Sequence, residues 1–210
     1  MKSNKHQLIA IILVVIFGSA LFYIGTDGFT AFTEETARTN KLIEDKPKLP
    51  EVSLEDSKSR EYNFDEFKDK YILMTFIYTS CETVCPQLEM NVAEIYEAIP
   101  KKYIEEDIMF LSISFDPTRD TPEVLERYRT FFNSDGETWR MARVPNEKEL
   151  QALLDEFSVI VIPDGEGDFQ HNVAFYLVDP DGYLMDVLDF DDISGAQEKV
   201  LQVLEQERRG

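Results

Sequence analysis

The stretch FIYTSCETVCPQ, residues 76–87, holds the only two cysteines of the 210-residue chain, Cys81 and Cys85. It follows an apolar run over residues 71–78 that reads as a fully buried β-strand. Pro86 then opens a helical pattern with Leu88, Val92, Ile95, Tyr96 and Ile99 on one face. Both thiols therefore belong to a short turn between a core strand and a helix. Proline suits a first helical turn, where its missing N–H has no intrahelical partner, and it biases the preceding residue away from α geometry. Cys85 is thus expected as the helix N-cap and Cys81 as a loop residue. Backbone N–H groups and the positive helix end favour thiolate over thiol, so these sulfurs are expected to be reactive or ready for a metal.

Outward from this turn, helices alternate with buried strands. Val52 and Leu54 read as a short strand, and Tyr62, Phe64 and Phe67 as a second edge piece. After the cysteine helix, which Pro100 ends, residues 108–115 (IMFLSISF) form another buried strand, with Asp116-Pro117 at its exit. Thr121-Pro122-Glu123 has the form of a capped helix start, and Val124, Leu125, Tyr128, Phe131 and Phe132 mark the buried face that follows. Residues 139–144 are a shorter strand, and Asn146 with Glu149 makes a capping box for a helix over residues 147–157. Residues 163–170 read as a loop of acids and glycines, 173–178 as a strand, 179–182 as a turn, 183–188 as its hairpin partner and 195–208 as a closing helix. This order predicts an α/β three-layer sandwich with a mixed sheet. A cysteine pair at the strand-to-helix turn makes it a thioredoxin-like fold.

At the N-terminus, Lys2 and Lys5 precede seventeen uncharged, mostly apolar residues, 8–24. At about 1.5 Å per residue this is about 26 Å of helix, at the short end of what spans a bilayer. The lysines place residues 1–7 as a cytoplasmic tip and everything after residue 24 outside the cytoplasm. A cleaved signal peptide is the alternative, but its small residues Gly18, Ser19 and Ala20 lie within the apolar run, which favours an uncleaved anchor. The absence of an Arg-rich, Ser-rich presequence points to a bacterial cell membrane. Residues 25–48 read as a polar linker with a helical turn around 32–41, and residues 49–210 as one domain. The net charge is −20, and −22 without Lys2 and Lys5, which disfavours nucleic acid and anionic headgroups as partners. Two cysteines in an exported domain of this size point to function rather than to a disulfide scaffold.

Besides His6 in the tip, the one histidine is His171, at the mouth of the strand over residues 173–178. In a thioredoxin-like fold that strand neighbours the cysteine-bearing one, which brings Cys81, Cys85 and His171 together. Two thiolates and an imidazole suit copper and are also tolerable to zinc. A static disulfide or a redox dithiol remain open for the cysteines, although the extra residue in C-x-x-x-C leaves more room for an ion than C-x-x-C does.

TFIYTSCETVCPQL, SFDPTRDTPEVLERY and HNVAFYLVDPDG, in this order, resemble the Sco proteins, thioredoxin-like copper proteins of cytochrome c oxidase assembly. The resemblance covers residues 50–210 and includes the anchor. It implies Cys81, Cys85 and His171 as copper ligands, and a metallochaperone that delivers copper to the binuclear centre of the oxidase's copper-bearing subunit. It also implies reduction of that subunit's cysteines, with Cys81 and Cys85 as a redox pair recharged by a thioredoxin-like reductant. Extracytoplasmic thiol–disulfide exchange is the alternative function, and a peroxiredoxin-like peroxidase is a distant third. Glu82 and Thr83 stand where the family often has proline and aspartate. Asp116, at the exit of its strand, is an acid the family keeps; it is expected either to orient a ligand from behind or to cap a turn. Arg119 and Asp120 are expected to form a local structural pair.

Overall fold

The computed structural model describes residues 3–25, 33–165 and 168–208. The chain divides into two compact units, Met1–Asp45 and Lys46–Gly210. In the first, α1 (Ser3–Gly25) contains His6–Gly25, 20 residues of mean hydropathy 2.7, long and apolar enough to cross a membrane. The expected linker turn is a longer helix, α2 (Glu34–Asp45), while residues 26–32 lie outside the described residues.

The second unit is built on a seven-stranded mixed sheet. Its strands are β1 (Leu54–Asp56), β2 (Glu61–Tyr62), β3 (Tyr71–Ile77), β4 (Ile108–Ser114), β5 (Trp139–Arg143), β8 (Phe175–Val178) and β9 (Leu184–Leu188), in the order β2-β1-β5-β4-β3-β8-β9. Every residue of β3 and β4 is buried on both faces, so the centre of the sheet lies between two covering layers. These strands carry continuous apolar runs for that reason, and the polar Thr75 satisfies its hydroxyl on the Ala174 carbonyl at 3.2 Å. Truncating a fully buried core residue such as Ile77 or Leu88 to alanine is expected to cost about 2–5 kcal/mol.

Topology brings three segments to one edge. β3 and β4 are parallel with Ile77 opposite Ser114, so the cysteine turn and the Asp116 segment leave the sheet side by side. β8 is antiparallel to β3, with Met74 opposite Tyr176, so the residues preceding β8 arrive at that same edge. The covering helices are α3 (Val84–Ala98), α4 (Lys101–Glu106), α5 (Pro122–Thr130), α6 (Glu147–Glu156) and α7 (Ile193–Glu207).

Four local expectations change. The 163–170 loop is a hairpin outside the main sheet, β6 (Val161–Pro163) paired with β7 (Phe169–His171), too short for a periodic signal. Phe131 is the C-cap of α5 and 77% exposed, while Leu125, Tyr128 and Phe132 take the buried side. Asn146 caps α6 through Lys148 N and Glu149 N, yet Glu149 does not reciprocate in the expected way: its carboxylate accepts from Ser53 N at 2.7 Å and ties α6 to the segment before β1. Finally, α3 starts at Val84 with Thr83 as N-cap, so Cys85 sits inside the first turn.

Candidate metal centre

Past the end of β3 the backbone is held by Asp120. This fully buried carboxylate accepts from Thr79 N at 3.0 Å and from the Thr79 and Ser114 hydroxyls. Burial still raises its pKa against those donors. The residue two positions before Cys81 is therefore fixed to the exit of β4. This corrects the expectation for Arg119 and Asp120: Arg119 pairs with Asp116, while Asp120 turns inward to grip the cysteine turn.

Thr83 makes no side-chain cap, and the Cys81 sulfur takes that place, accepting from Cys85 N at 3.4 Å. The first N–H groups of a helix have no internal acceptor, so a sulfur placed here satisfies one of them and feels the positive helix end. Burial pushes the Cys81 pKa up, but the N–H groups of Cys85 and Thr83 and the side chains of both residues outweigh it, and the net shift is downward. Cys85 is fully buried, and burial followed by the neighbouring Cys81 charge drives its pKa strongly up. Both thiols are free. The turn thus holds one thiolate-prone sulfur and one that keeps its proton.

His171 meets this pair from β7. Its Nδ1 lies 3.1 Å from the Asn172 carbonyl, which can only accept, so Nδ1 carries the hydrogen and Nε2 presents its lone pair. That Nε2 is 3.5 Å from Cys85 Sγ, positioned to accept the thiol proton. Burial lowers the His171 pKa and keeps the ring neutral, the form that can ligate a metal. The rings of Phe115 and Tyr78 pack on it with centroids 4.9 and 5.9 Å away.

The donor chemistry fits a thiophilic ion. Two ligands of one tetrahedral ion, at about 2.3 Å to sulfur and about 2.0 Å to nitrogen, stand about 3.5 Å apart, as Cys85 Sγ and His171 Nε2 do. Among the described residues no three His, Cys, Asp or Glu side chains already stand in ion-holding geometry. The Cys81 sulfur lies beside this pair as the helix cap.

The SCO1/SenC family model matches residues 41–207. The chain belongs to this family. The SCO2-like protein of Rickettsia felis is 29% identical over 191 residues, covering 87% of this chain and 88% of the relative. The chain spans 63% of the length of one curated relative, mitochondrial SCO2 of Saccharomyces cerevisiae, and 90% of another, a SCO2-like protein of Rickettsia prowazekii. Yeast Sco1, solved with copper bound, superposes with TM-score 0.64 at 23% identity, covering 76% of this chain and 90% of that one. BsSco, described as a member of the Sco family of cytochrome c oxidase assembly proteins in which a disulfide switch was identified, superposes with TM-score 0.65 at 21% identity, covering 76% and 95%. The fold is the thioredoxin-like fold of the Sco family.

Within this Sco chain Asp116 is buried, and its carboxylate is engaged by Arg119 while its N–H donates to Ser114 Oγ at 3.0 Å. These bonds tie it to the local turn. Sequence reasoning missed two groups near the thiols. Glu89, one turn after Cys85, is fully buried; its Oε2 accepts from Ser112 Oγ at 3.0 Å, and Ser112 in turn accepts from Trp139 Nε1 at 3.1 Å. Burial lifts its pKa to about 8, so it is protonated at neutral pH and adds little charge beside Cys85. Its signal was present in the sequence: Glu89 falls on the same helical stripe as Val92, Tyr96 and Ile99. The second is the Tyr78 hydroxyl, hidden because an apolar strand masks one polar atom.

Proposed function

We propose that this chain is a membrane-anchored copper metallochaperone that assists assembly of the binuclear copper centre of cytochrome c oxidase. The observation that carries the reading is the 3.5 Å contact between Cys85 Sγ and His171 Nε2, beside Cys81 in a Sco-family fold. Copper is the cargo, and Cys81, Cys85 and His171 are its proposed ligands. Soft thiolates and imidazole suit it, and a small donor number leaves an open position for transfer by ligand exchange to the oxidase's copper-bearing subunit. Loading takes a proton from Cys85, whose raised pKa makes uptake weaker in acid.

In this reading residues 8–24 of α1 span the cell membrane of a bacterium, residues 1–7 stay in the cytoplasm, residues 25–48 are the linker, and residues 49–210 work outside. The copper-bound state of yeast Sco1 and the assembly role stated for the family of BsSco support it.

The test is copper titration of the reduced full chain, followed by absorption. Wild type is expected to develop a thiolate-to-Cu(II) charge-transfer band. Cys81→Ser and Cys85→Ser are expected to lose it, and retention of the wild-type band in either variant contradicts the ligand assignment.

A second reading rests on the unequal thiols. Cys81, with its lowered pKa, attacks a partner disulfide and forms a mixed disulfide as one partner thiolate leaves. Cys85 then gives up its proton and attacks Cys81 Sγ, which releases the second partner thiolate. Two electrons pass to the partner, and a thioredoxin-like reductant restores the Cys81–Cys85 dithiol. This route does not need His171 as a ligand, only as one acceptor placed for the Cys85 proton.

A further inference from the structure

The hairpin that carries His171 forms no part of the seven-stranded sheet. Its β6 side is open to solvent, with Ile160 50% and Ile162 55% exposed. Position of the imidazole therefore depends on a few bonds between hairpin and body. Tyr78 supplies a central one. It is the last residue before the Asp120-held turn, and its phenol donates to Asp168 Oδ1 and lies 3.3 Å from the Phe169 carbonyl. The Tyr78 carbonyl in turn accepts from Cys81 N at 3.3 Å. Asp168 is itself set for this contact: its N–H donates to Asp164 Oδ1 at 2.9 Å, and its Oδ1 also accepts from Phe169 N at 3.0 Å. Around the bond, Tyr78 and Phe115 pack edge-on or tilted against Phe169 and each other, and Arg119, paired to Asp116, lies over the Phe169 ring at 5.3 Å.

We infer that Tyr78 and Asp168 are positioning residues that hold His171 against Cys85, so that one hydroxyl couples the cysteine turn to the imidazole-bearing hairpin. The inference rests on His171 acting as a ligand, and it extends that reading to two residues that touch no metal. The aromatic cluster gives the hairpin its depth, since rings packed edge-on at these distances add about 0.5–1.5 kcal/mol per pair beyond burial. A ring stack leaves rotation and sliding open, however. The directed bond to Asp168 fixes the register.

The test is a double-mutant cycle on the full chain with two readouts. Tyr78→Phe removes only the hydroxyl and keeps the ring; Asp168→Ala removes the acceptor; Asp168→Asn keeps an oxygen at the same place. In the copper-loaded protein, Tyr78→Phe and Asp168→Ala are each expected to release copper about tenfold faster, the lower end of what loss of an outer partner costs. The double variant is expected to be no faster than either single one, and Asp168→Asn to stay near wild type, with the thiolate-to-Cu(II) band shifted only in the first two. In metal-free protein, amide hydrogen exchange at Phe169, Gln170 and His171 is expected to quicken in Tyr78→Phe while the melting temperature holds. Wild-type copper release and wild-type exchange in Tyr78→Phe, or additive effects in the cycle, overturn the inference. The exchange readout needs no metal: if the chain binds no copper, the copper reading fails while faster hairpin exchange still supports the latch.

Discussion

Cys85 and His171 meet at one point but come from regions of different construction. Cys85 is fully buried in the first turn of α3, behind a turn whose backbone is gripped by Asp120 and flanked by two strands buried on both faces. His171 ends a three-residue strand in a two-stranded hairpin with an exposed apolar side, joined to the body by a ring cluster and the Tyr78–Asp168 bond. Local opening is easiest where few buried contacts must break. The thiols thus belong to the stable frame, and the imidazole to an element that can yield first. Under the proposed copper-carrier function that asymmetry favours release, because His171 can leave without unfolding the site.

The frame half of this contrast is sharpened most by Glu89. Its folded pKa of about 8 lies above the ordinary 4.5, so between those values the folded chain keeps a proton that the unfolded chain gives up. Stability contributed by the neutral acid is therefore present below pH 4.5 and lost as pH rises toward 8. At about 1.4 kcal/mol per pH unit, wild type is expected to lose about 4 kcal/mol between about pH 5 and 9 relative to Glu89→Gln, measured by denaturant unfolding at each pH. Parallel pH profiles would show that Glu89 does not bear this burial penalty.

Asp120→Ala is the next largest effect. It strips acceptors from the Thr79 N–H and the Thr79 and Ser114 hydroxyls in a buried site, an expected cost of about 3 kcal/mol. Asp120→Asn, which keeps one acceptor, is expected to cost less. If Asp120→Ala melts like wild type, the cysteine turn is not anchored as described and the contrast between frame and hairpin weakens.

Sequence and structure agree where the signal is long and apolar. Tyr71–Ile77 and Ile108–Ser114 were legible because strands buried on both faces need unbroken apolar runs, and α3 and α6 because their stripes persist for several turns. The convergence of His171 on the cysteines followed from topology, since a strand antiparallel to β3 must begin at the edge where β3 ends. The hairpin itself was illegible: three-residue strands around acids and glycines look like a loop until their pairing is seen. Side-chain direction was also hidden. The pattern DPTRD does not say that Arg119 turns to Asp116 while Asp120 turns inward. Nor did it say that a cysteine sulfur would cap α3.

The central claim is that His171 completes a site with the two thiols, and the most direct measurement compares copper affinity and absorption of reduced wild type with His171→Ala in the full chain. With the imidazole gone, binding is expected to weaken by more than the 10–100-fold that outer partners cost, and the thiolate-to-Cu(II) band to shift or vanish. Wild-type affinity with an unchanged spectrum in His171→Ala would contradict the account and leave Cys81 and Cys85 as a redox pair alone.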